Sequence, residues 1–263
     1  MATNRQFSLV EKSLSRIEPG ADPKSSLRSQ PPPAAPTLDR VLAEIGPLPR
    51  EALFLGLATD GLPVLLNLHD PVPGPMLVAG ESGAGKTAFL QSIARSLTHT
   101  HTKDDLQYGV ITYDITEWEP VENTPHRAGI FDAKQAAARE FIQSLASWAR
   151  SNHSTGQSVL FLIDDLEAIA KLDPNVLQTI RWLLLRGPSR RVWPIITLNA
   201  DRYGQVLAWI ELFRARAFGR ISNPGIARAL GGDSTSALDQ LEAGRQFSLR
   251  EKGEWLRFWL PNF

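Results

Sequence analysis

The sequence predicts an α/β fold: a mostly parallel central sheet with helices on both faces, entered through an N-terminal β-hairpin and closed by antiparallel C-terminal strands. Three observations predict it. Apolar runs of strand length alternate with segments of helical spacing through the middle of the chain. A glycine-rich stretch, Gly80-Glu81-Ser82-Gly83-Ala84-Gly85-Lys86-Thr87, lies between one such run, Met76 to Ala79, and a helical pattern. A second run, Val159 to Ile163, ends in the acids Asp164 and Asp165.

Taken in order, residues 1–36 are rich in Ser, Pro, Lys and Arg and end in Pro31-Pro32-Pro33-Ala34-Ala35-Pro36. That composition reads as a disordered tail with a stiff polyproline-like spacer, suited to tethering a partner. The folded domain is expected over residues 37–263. It opens with Thr37 as N-cap of a helix whose Leu38, Val41, Leu42 and Ile45 share one face. Two apolar runs, Ala52 to Ala58 and Leu62 to Leu68, flank Asp60-Gly61, a strong hairpin turn signal. After the proline-rich Asp70 to Pro75 comes the Met76 strand. Beyond Lys86, residues Phe89, Leu90, Ile93, Ala94 and Leu97 recur at helical spacing.

Further strands are expected near Tyr108 to Asp114, Val159 to Asp164, Val192 to Leu198, Ala217 to Ser222, Gln246 to Arg250 and Trp255 to Leu260. Helices are expected near Ala133 to Arg150, Pro174 to Arg186, Tyr203 to Phe213 and Pro224 to Leu230. Asp173-Pro174 pairs an N-cap with proline at the first helical position. Ile115 to Arg127, with its acids and prolines, reads as a long loop.

The chemistry starts at Gly80 to Thr87, which matches G-x-x-x-x-G-K-[ST] at every fixed position. Gly80, Gly83 and Gly85 let the backbone turn successive N–H groups inward around a polyphosphate. The following helix N-terminus favours an anion. Lys86 is expected on the β- and γ-phosphate oxygens of ATP, and the Thr87 hydroxyl on Mg²⁺. A facing strand ending in a carboxylate is needed to hold that metal, and Asp164 supplies it. Asp165 stands where an attacking water is polarised; Glu167 is the alternative. Asn199 closes the strand Ile195 to Leu198, and either senses the γ-phosphate or caps the next turn.

Composition narrows the classes. Of 263 residues, 43% are hydrophobic and 21% charged, the balance of a folded globular chain. No apolar run is long enough to cross a bilayer and no signal-peptide core is present, so the expected location is the cytoplasm. The absence of cysteine excludes disulfides and thiolate metal sites. The net charge of zero argues against a general attraction for nucleic acid. Between Arg181 and Arg228, however, nine arginines face only Asp201 and Glu211.

On these motifs the chain resembles the FtsK/SpoIIIE–HerA branch of RecA-like P-loop ATPases, from roughly Phe54 to Pro261. Leu55-Gly56 through Leu68, with Pro75 to Gly80, is similar to that family's hairpin and proline-led strand. Tyr113-Asp114 with Glu117 is similar to its Asp-Pro-Lys motif and downstream Glu-Leu, although Ile115-Thr116 replace Pro-Lys. Arg190 to Asn199 resembles the segment ending Ala-Thr-Gln-Arg-Pro. Phe218 to Ser222 resembles Phe-Arg-Val-Ser, and Ala237 to Phe247 the closing Leu…Gly…Gly passage. The departures are Asp165 for glutamate and Asn199 for glutamine.

The resemblance implies a ring, usually a hexamer, that translocates double-stranded DNA or, in some relatives, protein. A neighbour's arginine would reach the nucleotide as a finger, with Arg216 or Arg220 the first choices and Arg181 or Arg186 the others. Three readings follow: a hydrolysing DNA motor, a nucleotide-dependent assembly switch with weak or lost hydrolysis, and a protein-export motor. Residues 1–36 are the expected contact for a protein partner.

Overall fold

The computed structural model describes residues 36–69, 74–152, 156–170, 172–233, 236–251 and 254–262. The expected tail lies outside them apart from Pro36, as does most of Asp70 to Pro75. Residues 36–263 form one compact unit.

Among the described residues the strands are β1 (Ala52–Ala58), β2 (Pro63–Asn67), β3 (Met76–Gly80), β4 (Leu106–Thr112), β5 (Arg127–Asp132), β6 (Ser158–Asp164), β7 (Val192–Asn199), β8 (Ala215–Phe218), β9 (Gln246–Glu251) and β10 (Glu254–Trp259). The helices are α1 (Leu38–Ile45), α2 (Lys86–Thr100), α3 (Ala136–Ser151), α4 (Leu166–Ala170), α5 (Pro174–Arg186), α6 (Leu207–Ile210) and α7 (Pro224–Gly231). All the strands join one sheet in the order β2-β1-β10-β9-β8-β3-β7-β6-β4-β5. From β8 to β5 neighbours run parallel, and from β8 back to β2 they alternate antiparallel. This is the mixed α/β sheet of a RecA-like P-loop fold.

The central strands are apolar throughout because both faces are covered. Alternate residues of each strand enter opposite cores. Leu77, Phe161, Ile163, Ile196 and Phe218 pack with α3, α5 and α7 through Ile142, Ile180 and Leu230. Val78, Leu160, Leu162 and Ile195 face the α2 stripe of Phe89, Leu90, Ile93, Ala94 and Leu97. Burying each large side chain of that stripe contributes about 1.5–3 kcal/mol, so α2 is firmly seated. At the other end, Leu38, Val41 and Leu42 of α1 pack on Phe54 of β1. Thr37 caps α1 by accepting from the Arg40 N–H, and Asp173 caps α5 by accepting from Asn175.

Four expectations need correction. Ile115 to Arg127 is not a featureless loop: Thr116–Val121 form a 3₁₀ turn that buries Trp118 and Val121. It is followed by β5, which the sequence reading missed. This strand is a short edge strand containing Gly129, and its pairing with β4 supplies order that its residues do not signal. The helix expected over Tyr203 to Phe213 is a 3₁₀ turn, Ala200–Gln205, joined to the single-turn α6. The strand expected over Ala217 to Ser222 instead covers Ala215–Phe218. Residues after Phe218 turn away to meet the glycine-rich loop.

The C-terminal ends of β3, β4, β6 and β7 lie at one edge of the sheet. Gly80 is in register with Asn199, and Thr112 with Asp164. Open α/β sheets bind ligands at such an edge, outside the carboxyl ends of their strands.

Candidate nucleotide site

Gly80 to Thr87 turns on two residues in the left-handed region, Gly83 (φ +76°) and Gly85 (φ +88°). A Cβ on Gly85 would also lie 2.6 Å from the Gly244 carbonyl oxygen, so another stretch of backbone presses on the loop. Gly85 precedes α2 without offering a side-chain cap, which leaves first-turn N–H groups for an anion. Lys86 Nζ donates to Gly80 O at 3.1 Å and Glu81 O at 2.9 Å, closing the loop on itself. Burial pulls the Lys86 ammonium below its ordinary pKa, and Asp165, Asp164, Asp201 and Glu167 push the other way.

One hydroxyl ties Asp164 to the backbone of Asp165. Thr197 of β7 is fully buried; its Oγ1 donates to Asp164 Oδ1 at 2.9 Å and accepts from the Asp165 N–H at 2.7 Å. Asp165 sits at φ +90°, uncommon for a residue with a Cβ, and its Oδ1 accepts from the Glu167 N–H at 3.0 Å. Burial raises the Asp165 carboxyl, and the negative Glu167 and Asp164 add to that. Glu167 is itself almost fully buried. One of its oxygens accepts from Arg202 Nη1 at 2.6 Å and the other has no partner.

Glu117, on the 3₁₀ turn, comes alongside Thr87 and Asp164. Its carboxyl is raised by burial first, then by Asp164 and Asp114, with a hydrogen bond to Thr87 opposing. Gln91 of α2 donates to the Glu117 carbonyl at 2.6 Å, locking the turn to the helix that starts at the loop.

This crowd of desolvated carboxylates around a single lysine is the electrostatic setting a divalent cation relieves. Among the described residues no three His, Cys, Asp or Glu side chains converge as a ligand set. A cation would therefore take one carboxylate, one hydroxyl and the oxygens of a bound polyphosphate. Asp164 and Thr87 fit that donor set.

Among known proteins, residues 53–152 match the FtsK/SpoIIIE family. The match covers less than half of the chain. The ESX-5 secretion system protein EccC5 of Mycobacterium marinum is 25% identical in an alignment 177 positions long that covers 52% of this chain and 12% of that protein. The cytoplasmic domain of the Thermomonospora curvata type VII secretion ATPase EccC superposes with a TM-score of 0.71 at 16% identity, covering 87% of this chain and 32% of the other. ATPases 2 and 3 of the same EccC, in complex with a signal sequence peptide, give 0.68 at 18% identity over 94% of this chain and 45% of theirs. The chain thus spans less than half the length of each of these three proteins.

Within this site, Lys86, Thr87, Asp164 and Asp165 come together. Asn199 lies beside Gly80, but its side-chain oxygen accepts from the Asp201 N–H at 3.2 Å, the capping geometry. The two first-choice finger arginines are placed otherwise than expected. Arg216 donates to Phe213 O (3.1 Å), Leu230 O (2.8 Å) and Ile210 O (3.1 Å), so its guanidinium ties together chain ends within its own fold. Arg220 lies against its own loop, with Nε 3.4 Å from Glu81 Oε1, and so faces its own P-loop. Arg181 and Arg186 are exposed on α5.

Two residues of the site were not assigned roles beforehand. Glu117 was legible only as part of a family motif. Thr197 carried no signal, since one threonine in an apolar strand reads as filler until its partners are known.

Proposed function

We propose that this chain is the ATP-binding and ATP-hydrolysing module of a ring motor that moves polypeptide. The observation that carries the nucleotide reading is the convergence of the glycine-rich turn and Lys86 on the Asp164–Asp165 pair. The cargo reading is supported by relatives named as type VII secretion ATPases, one of them with a bound signal peptide.

In this mechanism Lys86 leaves the Gly80 and Glu81 carbonyls for the β- and γ-phosphate oxygens of ATP. Loop and first-turn N–H groups hold the remaining oxygens. Thr87 and Asp164 would hold Mg²⁺, whose charge would offset that of the phosphates. Thr197 keeps Asp164 aimed, and its second bond fixes the backbone of Asp165. Asp165 keeps its Oδ2 for the attacking water while Oδ1 caps α4. An aspartate is about 1.5 Å shorter than glutamate, so the water must come closer to the strand end than in glutamate-bearing relatives. In the ring, Arg181 or Arg186 of one subunit reaches the nucleotide of the next, and residues 1–36 engage a protein partner.

The test is calorimetric ATP titration with phosphate release, for wild type and Lys86→Ala, with and without duplex DNA. The expected result is ATP binding that Lys86→Ala abolishes, turnover in an oligomer, and no duplex binding at low salt. Absence of ATP binding in wild type overturns the nucleotide reading. Binding without turnover favours the assembly switch, which the capping role of Asp165 Oδ1 would explain. Duplex affinity that falls with salt at about 0.9 log units per log unit for each phosphate neutralised overturns the polypeptide cargo.

A further inference from the structure

The second residue of the glycine-rich loop is an acid, a costly choice where a polyphosphate is to be received. Glu81 is held on every polar group it has. Its N–H donates to Arg220 O at 2.9 Å, and its carbonyl accepts from Lys86 Nζ. Its carboxylate accepts from the Ser222 N–H (2.9 Å) and from Ser222 Oγ (3.2 Å), and lies 3.4 Å from Arg220 Nε.

Arg220 Nε is buried and makes no hydrogen bond, while its side chain is 43% exposed overall. With Nε buried, that exposure belongs to the rest of the side chain. The segment carrying Arg220 and Ser222 extends the β3–β8 ladder: Gly219 N donates to Ala79 O at 2.8 Å, one residue before the Glu81–Arg220 bond. Gly219 packs closely there: a Cβ would lie 3.0 Å from Ala84 O and 3.1 Å from Ala84 Cβ, tighter than ordinary contact. Immediately after Ser222, Asn223 caps α7 by accepting from Gly225 and Ile226.

Lys86 identifies which end of the cradle this is. The residue that serves the β- and γ-phosphates has its ammonium on the Gly80 and Glu81 carbonyls, so Glu81 marks the γ-end. A γ-phosphate arriving there draws Lys86 off Glu81, places like charge near its carboxylate, and offers Arg220 a stronger anion.

We propose that Glu81 and Arg220 form a charge clamp within one subunit that distinguishes tri- from diphosphate. Glu81 holds Arg220 in the empty loop; the γ-phosphate takes Arg220 over, and the exchange is transmitted through Ser222 and Asn223 to α7. This rests on the ATP-site reading above and adds a positioning pair and a direction of signal.

The readout is the ratio of dissociation constants for ADP and a nonhydrolysable ATP analogue, measured by calorimetry on wild type, Glu81→Gln, Arg220→Ala and the double variant. Glu81→Gln keeps the shape and an acceptor for Ser222 and removes the charge. It should tighten the ATP analogue about tenfold and leave ADP within about twofold, from one unit charge near the phosphate at intermediate dielectric. Arg220→Ala should weaken the analogue about tenfold with ADP little changed. In the Arg220→Ala background, Glu81→Gln should gain less than half of its wild-type effect on a logarithmic scale.

Equal changes for both nucleotides, or strictly additive effects in the double variant, overturn the clamp. Failure of wild type to bind either nucleotide is a different result, and removes the ATP site itself.

Discussion

Replacing Thr197 by valine tests the hinge between the two halves of the site. Valine matches threonine in shape, so no cavity opens in a strand whose side chain at this position is fully buried. Two hydrogen bonds disappear: the 2.9 Å donation to Asp164 Oδ1, and the 2.7 Å acceptance from Asp165 N. A bond to a charged group contributes about 1.5–3 kcal/mol, and a buried unsatisfied N–H costs about 1–3 kcal/mol. The added methyl returns about 0.8 kcal/mol. The net loss should be about 2–4 kcal/mol, or roughly 4–16 °C in Tm for a chain of this size. Urea and thermal melts of the nucleotide-free protein measure it.

Because Asp164 would lose its aim as well, binding of an ATP analogue with Mg²⁺ should weaken more than binding with EDTA. A Thr197→Val protein within 0.5 kcal/mol of wild type, with unchanged Mg²⁺ dependence, would refute the bridging role.

Three further outcomes follow from the same geometry. Asp165→Asn keeps the cap on Glu167 N and removes a carboxylate whose pKa is raised by burial. A raised acid stabilises the fold below its unfolded pKa and loses that contribution as pH rises through its folded pKa, so the variant should melt above wild type at pH 7. Its advantage should shrink toward pH 4, and melts that shift equally at pH 4 and pH 7 contradict this. Arg216→Met strips donors from three carbonyls and should lower stability by about 2–3 kcal/mol in urea melts; a neutral effect would return Arg216 to the pool of finger candidates. Gly85→Ala combines left-handed strain with a 2.6 Å approach to Gly244 O. It should cost at least about 1–2 kcal/mol and weaken ATP binding, and an unaltered Kd would mean that the loop yields without effect.

Much of this protein could be read along the chain because the signals were local. The Gly80 to Thr87 motif, the apolar run into Asp164, the Asp60-Gly61 turn, and the Thr37 and Asp173 caps each depend on residues a few positions apart. Backbone conformation and helix ends are settled at that range. The covering of both faces of β3, β6 and β7 then follows from burying those runs.

What the linear pattern could not contain was pairing at a distance. β5 is ordered by its neighbour β4 and not by its own residues. Thr197 matters because β7 lies between β3 and β6, which brings its hydroxyl to Asp164 and Asp165. Arg216 and Arg220 look alike in sequence, four residues apart in a basic stretch, yet one closes carbonyls inside the fold and the other rests on Glu81 of the loop. A guanidinium takes whatever acceptors the fold brings within reach, and those acceptors, Leu230 O for one and the Glu81 carboxylate for the other, are separated from it by 14 and 139 positions.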